Sequence, residues 1–183
     1  MTREIENASY DIHKTIETVN IPNSLYKSIQ GKYFVGQTNA LGFGDETYAW
    51  GGLINPENSR TNLYVNVFTV TNLGNKELTS EVWLDSTPVG KPHTSKKVST
   101  TNTVLYPTPI PRIRLEYGFE VFDKPFDGTN IFNRIIPSGN TIVAEEDGKY
   151  IIRPGSTFII FLNAPKCDAE AIVAFGWCEE KCR

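Results

Sequence analysis

Asn62-Leu-Tyr-Val-Asn-Val-Phe-Thr-Val-Thr71 is built from β-branched, aromatic and amide residues in alternation. Residues two apart share a face of an extended chain, so Leu63, Val65 and Val67 are expected on one face and Tyr64, Asn66 and Phe68 on the other. This is a strand pattern, and others follow. Leu78–Asp85 alternates again, with Leu78, Ser80, Val82 and Leu84 against Thr79, Glu81, Trp83 and Asp85. Asn72-Leu-Gly-Asn-Lys76 lies between the two, and the pair reads as a hairpin.

Further strands are expected at Lys32–Gly36, Thr47–Ile54, Arg112–Glu120, Thr157–Leu162 and Glu170–Trp177. In Arg112–Glu120 the residues Ile113, Leu115, Tyr117 and Phe119 are expected inward. Thr141–Glu146 and Lys149–Ile152 flank Asp147-Gly148, and Asp-Gly supplies the positive φ angles of a two-residue hairpin turn. Gly31 is placed to end a short helix, Leu25–Gln30, with Ser24 as its cap. Residues 1–23 read as a polar arm, with Ile12, Ile16 and Val19 on one helical face. Residues 86–111 hold five prolines among many Ser and Thr, so this connection runs over the surface without a helix. With about nine or ten strands at this spacing, residues 24–183 are expected to form one all-β domain. The expected architecture is a two-sheet antiparallel sandwich of jelly-roll or Greek-key type.

A chain of 183 residues suits a single such domain. It is 39% hydrophobic and 21% charged, with a mean hydropathy of -0.30, as a folded globule requires. A net charge of -3, with no basic cluster larger than Lys96-Lys97, excludes the phosphate-neutralising surface that nucleic acid needs. The longest apolar run, Phe158–Leu162, is far short of the ~20 residues of a membrane-crossing helix, so no membrane insertion is expected. The charged start, Met1–Asn7, lacks the apolar core of a signal peptide, so synthesis in the cytoplasm is the expectation.

No sequence motif marks a catalytic or cofactor site. Only His13 and His93 could act as bases near neutral pH, and no nucleophile elbow, paired metal-binding histidines or phosphate loop is present. No enzyme activity and no cofactor are expected. Cys167, Cys178 and Cys182 are open to three states: free thiols, a disulfide within or between chains, or a metal site lacking its fourth ligand. The acidic groups Asp45-Glu46, Glu145-Glu146-Asp147 and Glu179-Glu180 are expected to be solvated at turns and strand ends, and Asp123–Asn130 lacks calcium-loop spacing. Trp50 and Trp177 read as core. Trp83 shares its face with polar residues and is the candidate exposed aromatic, with Tyr64 as a second ligand-contact candidate.

Five stretches together resemble an uncharacterised family from spore-forming Gram-positive bacteria. They are Leu25–Gln37, Trp50-Gly-Gly-Leu-Ile-Asn-Pro56, Asn62–Asn72, Ile151–Leu162 and Ala174-Phe-Gly-Trp-Cys-Glu-Glu180. The resemblance implies strands and turns but no activity. Taken with the strands, the arm and the absence of catalytic motifs, it leads to the expectation of a structural protein. Such a protein would associate with itself or another protein in a spore layer or phage-like particle. A carbohydrate- or small-ligand-binding sandwich is the alternative.

Overall fold

The computed structural model describes residues 18–164 and 168–182. Its strands, in order, are β1 (Tyr33–Gln37), β2 (Leu41–Phe43), β3 (Tyr48–Ile54), β4 (Thr61–Asn72), β5 (Leu78–Leu84), β6 (His93–Thr94) and β7 (Val98–Thr100). They continue with β8 (Arg114–Val121), β9 (Thr129–Ile136), β10 (Thr141–Ile152), β11 (Thr157–Asn163) and β12 (Ala169–Lys181). One helix, α1 (Asn23–Ile29), precedes them.

The strands form two antiparallel six-stranded sheets. The front sheet runs β10-β4-β12-β1-β7, with β2 also against β12, and the back sheet runs β6-β8-β3-β11-β5-β9. Pairing is nested. β1 pairs with β12, β3 with β11, β4 with β10 and β5 with β9, so the first strand meets the last and the order closes inward. Eight strands paired this way make a jelly roll, in which successive strands mostly change sheet. The expected β4–β5 hairpin is therefore absent. These strands lie in opposite sheets, and residues 73–77 arch between them. Buried Asn72 shapes the arch, donating through Nδ2 to the carbonyls of Lys76 (2.8 Å) and Ile136 (3.1 Å).

The core lies between the sheets. Phe158 sits 5.8 Å from Phe68 and 6.3 Å from Phe175 between ring centroids, and Trp177 is fully buried against Phe34. A second, smaller cluster covers the outer face of the back sheet, where Trp50, Ile159 and Phe161 pack under Val89 and Val121. Trp50 Nε1 donates to the Val89 carbonyl at 2.9 Å. Gly118 lets the indole approach: a Cβ there would lie 2.4 Å from Trp50 Nε1. Gly118→Ala is expected to lose about 1–3 kcal/mol of stability through this overpacking, as read by urea unfolding.

The proline-rich insertion carries two short strands that composition concealed. It forms no helix, yet β7 extends the front sheet beyond β1, and β6 joins β8 at the edge of the back sheet. The insertion thus supplies the edge strand of both sheets on one side of the sandwich. In β8 the expected alternation fails after Tyr117. The register with β3 shifts between Tyr48 and Trp50, Glu120 takes φ 51°, and Phe119 is exposed against His93, 5.2 Å between rings. Strand β9 was not expected. The connection Leu41–Asp45 holds β2, and α1 begins after Pro22 without a side-chain cap from Ser24. Gly31, at φ 70°, does end the helix: its N–H bonds to the Ser28 carbonyl and that of Lys32 to Lys27.

A bulge interrupts β4. Against β12 the register passes from Val67↔Gly176 to Val65↔Trp177, and against β10 from Val67↔Glu145 to Tyr150↔Val65. Asn66 is the residue left out of both ladders. Alternation changes phase there, so Phe68 joins the core and Val67 turns outward, the reverse of the simple period-two expectation. Opposite Asn66, residues 146–149 loop out of β10. Asp147 (φ 50°) and Gly148 (φ 76°) have the dihedral signs of a hairpin turn, but the chain continues in the same direction and no hairpin forms.

Candidate functional site

Outward residues of β4 and β12 meet on the front sheet beside this bulge. On β4 they are Asn62, Tyr64 and Asn66, and on β12 Cys178 and Glu180, with Cys182 just beyond the strand. Helix α1 forms one wall and the Asp147-Gly148 loop another, enclosing a cleft of about 900 Å³. Tyr64, Cys178 and Cys182, three of the residues singled out from sequence, therefore line one site.

Glu180 organises the helix side. Its carboxylate pairs with Lys27 and, at 2.9 Å, with Lys32. Burial alone would push the Glu180 carboxyl up, but the two ammonium groups outweigh it and hold it below the usual range. The hydrogen bond to Glu180 in turn raises Lys27. The thiols face the amides: Cys178 Sγ lies 3.3 Å from Asn66 Oδ1 and Cys182 Sγ 3.4 Å from Asn62 Oδ1. Burial pushes the Cys178 thiol up to about 12, against the opposing pull of Lys27, so it stays protonated at neutral pH. Cys178 is buried and Cys182 exposed, and neither is bonded to another cysteine among the described residues. Four residues of strand separate their Cα atoms by roughly 13 Å, beyond the ~7 Å that a disulfide spans. A Cys178–Cys182 bridge is thereby excluded. Cys167 lies outside the described residues, as do His13 and most of the arm.

Trp83 is elsewhere. It is half-buried on the outer face of the back sheet, at the margin of the Trp50 cluster, and its Nε1 donates to Glu81 Oε2 at 2.8 Å. Tyr64 and Trp83 thus occupy opposite faces of the sandwich and cannot act on one ligand. A shallower apolar groove of about 610 Å³ lies farther along the front sheet, lined by Val35, Val67 and Val98.

Asp45, Glu46, Glu145 and Asp147 are exposed as expected, whereas Glu146 and Glu179 are buried. Glu146 pairs with Arg134 across 3.5 Å, joining β10 to β9. Glu179 accepts from Trp177 Nε1 (3.1 Å) and the backbone N–H groups of Arg112 (2.9 Å) and Ile113 (3.2 Å). Asp127 accepts from Thr87 N–H (2.7 Å), Thr87 Oγ1 and Ser86 Oγ, and these hydrogen bonds hold its carboxyl low. All three carboxylates clasp strands or loops. Among the described residues no three His, Cys, Asp or Glu side chains are grouped for a metal. No helix among them is long and apolar enough to cross a membrane.

Of the five stretches that carry the resemblance, Leu25–Gln37 spans most of α1 and β1 and the other four lie on strands and the turns beside them. The chain belongs to a family of unknown function, DUF6143. The family model matches residues 6–183. No curated protein and no solved structure matches the chain. The family match includes β4, β12 and α1, so every described wall of the cleft is family territory.

Proposed function

We propose that the protein is a non-enzymatic structural component that works by self-association. A spore layer or phage-like particle of a spore-forming bacterium is the setting that the resembling family suggests. The observation that carries the reading is the asymmetry of the sandwich. On one side the sheets end in the insertion's short strands β6 and β7, of two and three residues, whereas on the other they end in β9 and β10, of eight and twelve residues, whose outer backbone groups have no strand partner among the described residues. Bulky apolar residues are exposed along them: Phe132 (47%) and Ile135 (66%) on β9, Val143 (60%) and Ile151 (58%) on β10. The four looped-out residues 146–149 interrupt β10, while β9 skips a single residue, Ile131, in its ladder with β5, which leaves β9 as the better template.

Helix α1 supplies a second patch. It buries no residue completely and exposes Leu25, Tyr26 and Ile29. A single self-complementary patch closes a dimer, while two independent patches permit continued assembly. Light scattering on full-length protein and on a chain starting at Asn23, each with and without reductant, tests the reading. A discrete oligomer or polymer is expected. Ile135→Lys should reduce the mass to a smaller species while changing monomer stability by less than about 0.5 kcal/mol, since the side chain is exposed. A monomer in every condition at high concentration overturns the proposal.

A further inference from the structure

We propose that the cleft between α1 and the outer face of the front sheet binds a neutral saccharide, with Tyr64 as its platform and the amides of Asn62 and Asn66 as its polar contacts. This goes beyond self-association at the β9 edge, and the α1 wall of the cleft, Tyr26 included, is the element the two readings share. The cleft's volume of about 900 Å³ falls within the range of small-molecule sites. Its lining determines the ligand class.

Strand β4 sets Asn62, Tyr64 and Asn66 in a row, two residues apart and therefore roughly 7 Å from one to the next. Each amide oxygen is engaged by a thiol, and each amide nitrogen has no partner among the described residues. The Tyr64 hydroxyl is likewise unpaired among them. These groups are open to solvent, since among the described residues only Ser80 Oγ is buried without a partner, so ligand hydroxyls would take the place of water on them. Hydroxyl groups, which donate and accept, suit amides and a phenol that also do both. The aromatic ring between the two amides offers an apolar face for the C–H side of a sugar ring.

Charge argues against an anion. Of the three lysines that line the cleft, Lys27 and Lys32 are committed to Glu180, Lys181 has no carboxylate partner among the described residues, and Asp147 places a carboxylate on the facing wall. A phosphate or sulfate entering the cleft would have to compete with Glu180 for Lys27 and Lys32 and approach Asp147. A fully apolar ligand would bury the unpaired amides without satisfying them. A neutral polyhydroxylated ligand avoids both penalties.

The test is a glycan array probed with reduced full-length protein labelled at its N-terminus. The array carries uncharged, sialylated and sulfated mono- to tetrasaccharides, and the best binder is then titrated calorimetrically. Uncharged glycans should give the hits. Tyr64→Ala should weaken the best of them at least about tenfold, and Tyr64→Phe, which keeps the ring, by less than about threefold. Asn62→Ala, at a half-buried surface position, should also weaken binding and decides the matter if Tyr64→Ala does not fold. Trp83→Ala, on the other sheet, should leave binding unchanged. The proposal is overturned if no glycan binds at about 5 mM, if binding survives both Tyr64→Ala and Asn62→Ala, or if sulfated glycans dominate.

Discussion

Cys178 is expected to react with a small thiol reagent on the order of a thousandfold more slowly than a free thiol near pH 8. The thiolate is the reacting species, and its fraction falls tenfold for each unit by which the pKa exceeds the pH. An ordinary thiol with pKa ~8.5 is about one-quarter ionised at pH 8. Cys178, raised to about 12 by burial, is ionised to roughly one part in ten thousand. The buried sulfur lies beside Asn66 Oδ1, and reagent access adds to the delay. Cys182 is exposed at the mouth of the same cleft and is the residue expected to be modified. In a Cys167→Ser protein, mass spectrometry after brief alkylation should show one modification, at Cys182. The second should appear only after unfolding in guanidinium. Equal labelling of both residues in the folded protein would show that the thiol at 178 is not shielded as described. The sign of the pH dependence follows: raising the pH from 8 to 10 should accelerate Cys178 labelling steadily, because its ionisation lies above that window. The same contrast bears on assembly, since of Cys178 and Cys182 only the exposed Cys182 is placed to link one copy to another.

Two-layer all-β architecture was legible because period-two alternation dominates long stretches and no helical period competes with it. What alternation cannot reveal is a change of phase. Nothing in Val65-Asn66-Val67-Phe68 signals that Asn66 leaves both ladders, yet that one residue turns Phe68 into the core and Val67 out of it. Asp147-Gly148 shows the converse difficulty. The dipeptide adopts the positive φ angles its chemistry favours, but the neighbouring strand β4 runs past it, so a local turn becomes a bulge and not a hairpin. The arch between β4 and β5 was misread for a related reason: a five-residue loop serves a hairpin or a crossing between sheets equally well, and buried Asn72 decides in favour of the crossing. Strand β9 was hidden because, as an edge strand, it is partly exposed on both faces and shows little alternation.

The candidate site was half legible. Tyr64, Cys178 and Cys182 could each be named, but their convergence depends on the pairing of β4 with β12, which join positions more than a hundred residues apart. Glu179 was within reach and was missed. Continuing the inward series Val173, Phe175, Trp177 by two residues arrives at Glu179, and a carboxylate at an inward position must find donors.

Those donors make Trp177→Ala the most damaging single substitution expected. Trp177 is fully buried with its ring 6.0 Å from that of Phe34, so truncation leaves a cavity at the centre of the front sheet. Replacing a buried tryptophan by alanine costs about 3–5 kcal/mol. For a domain of this size that corresponds to a fall in Tm of about 6–20 °C. The loss extends beyond packing. Trp177 Nε1 is one of the groups that hold the Glu179 carboxylate, whose remaining bonds go to the backbone N–H groups of Arg112 and Ile113. That carboxylate is the clip that fastens the end of the proline-rich insertion to β12. Trp177→Phe keeps much of the ring but removes the donor, and should fall between the wild type and Trp177→Ala. Limited proteolysis separates the two contributions. If the clip is as described, both variants are cut within residues 101–111 sooner than the wild type at equal distance below their own Tm, because the insertion is freed before the sandwich unfolds. Cleavage that merely follows global stability would assign Trp177 to the core alone and leave the insertion fastened by β7 and β8.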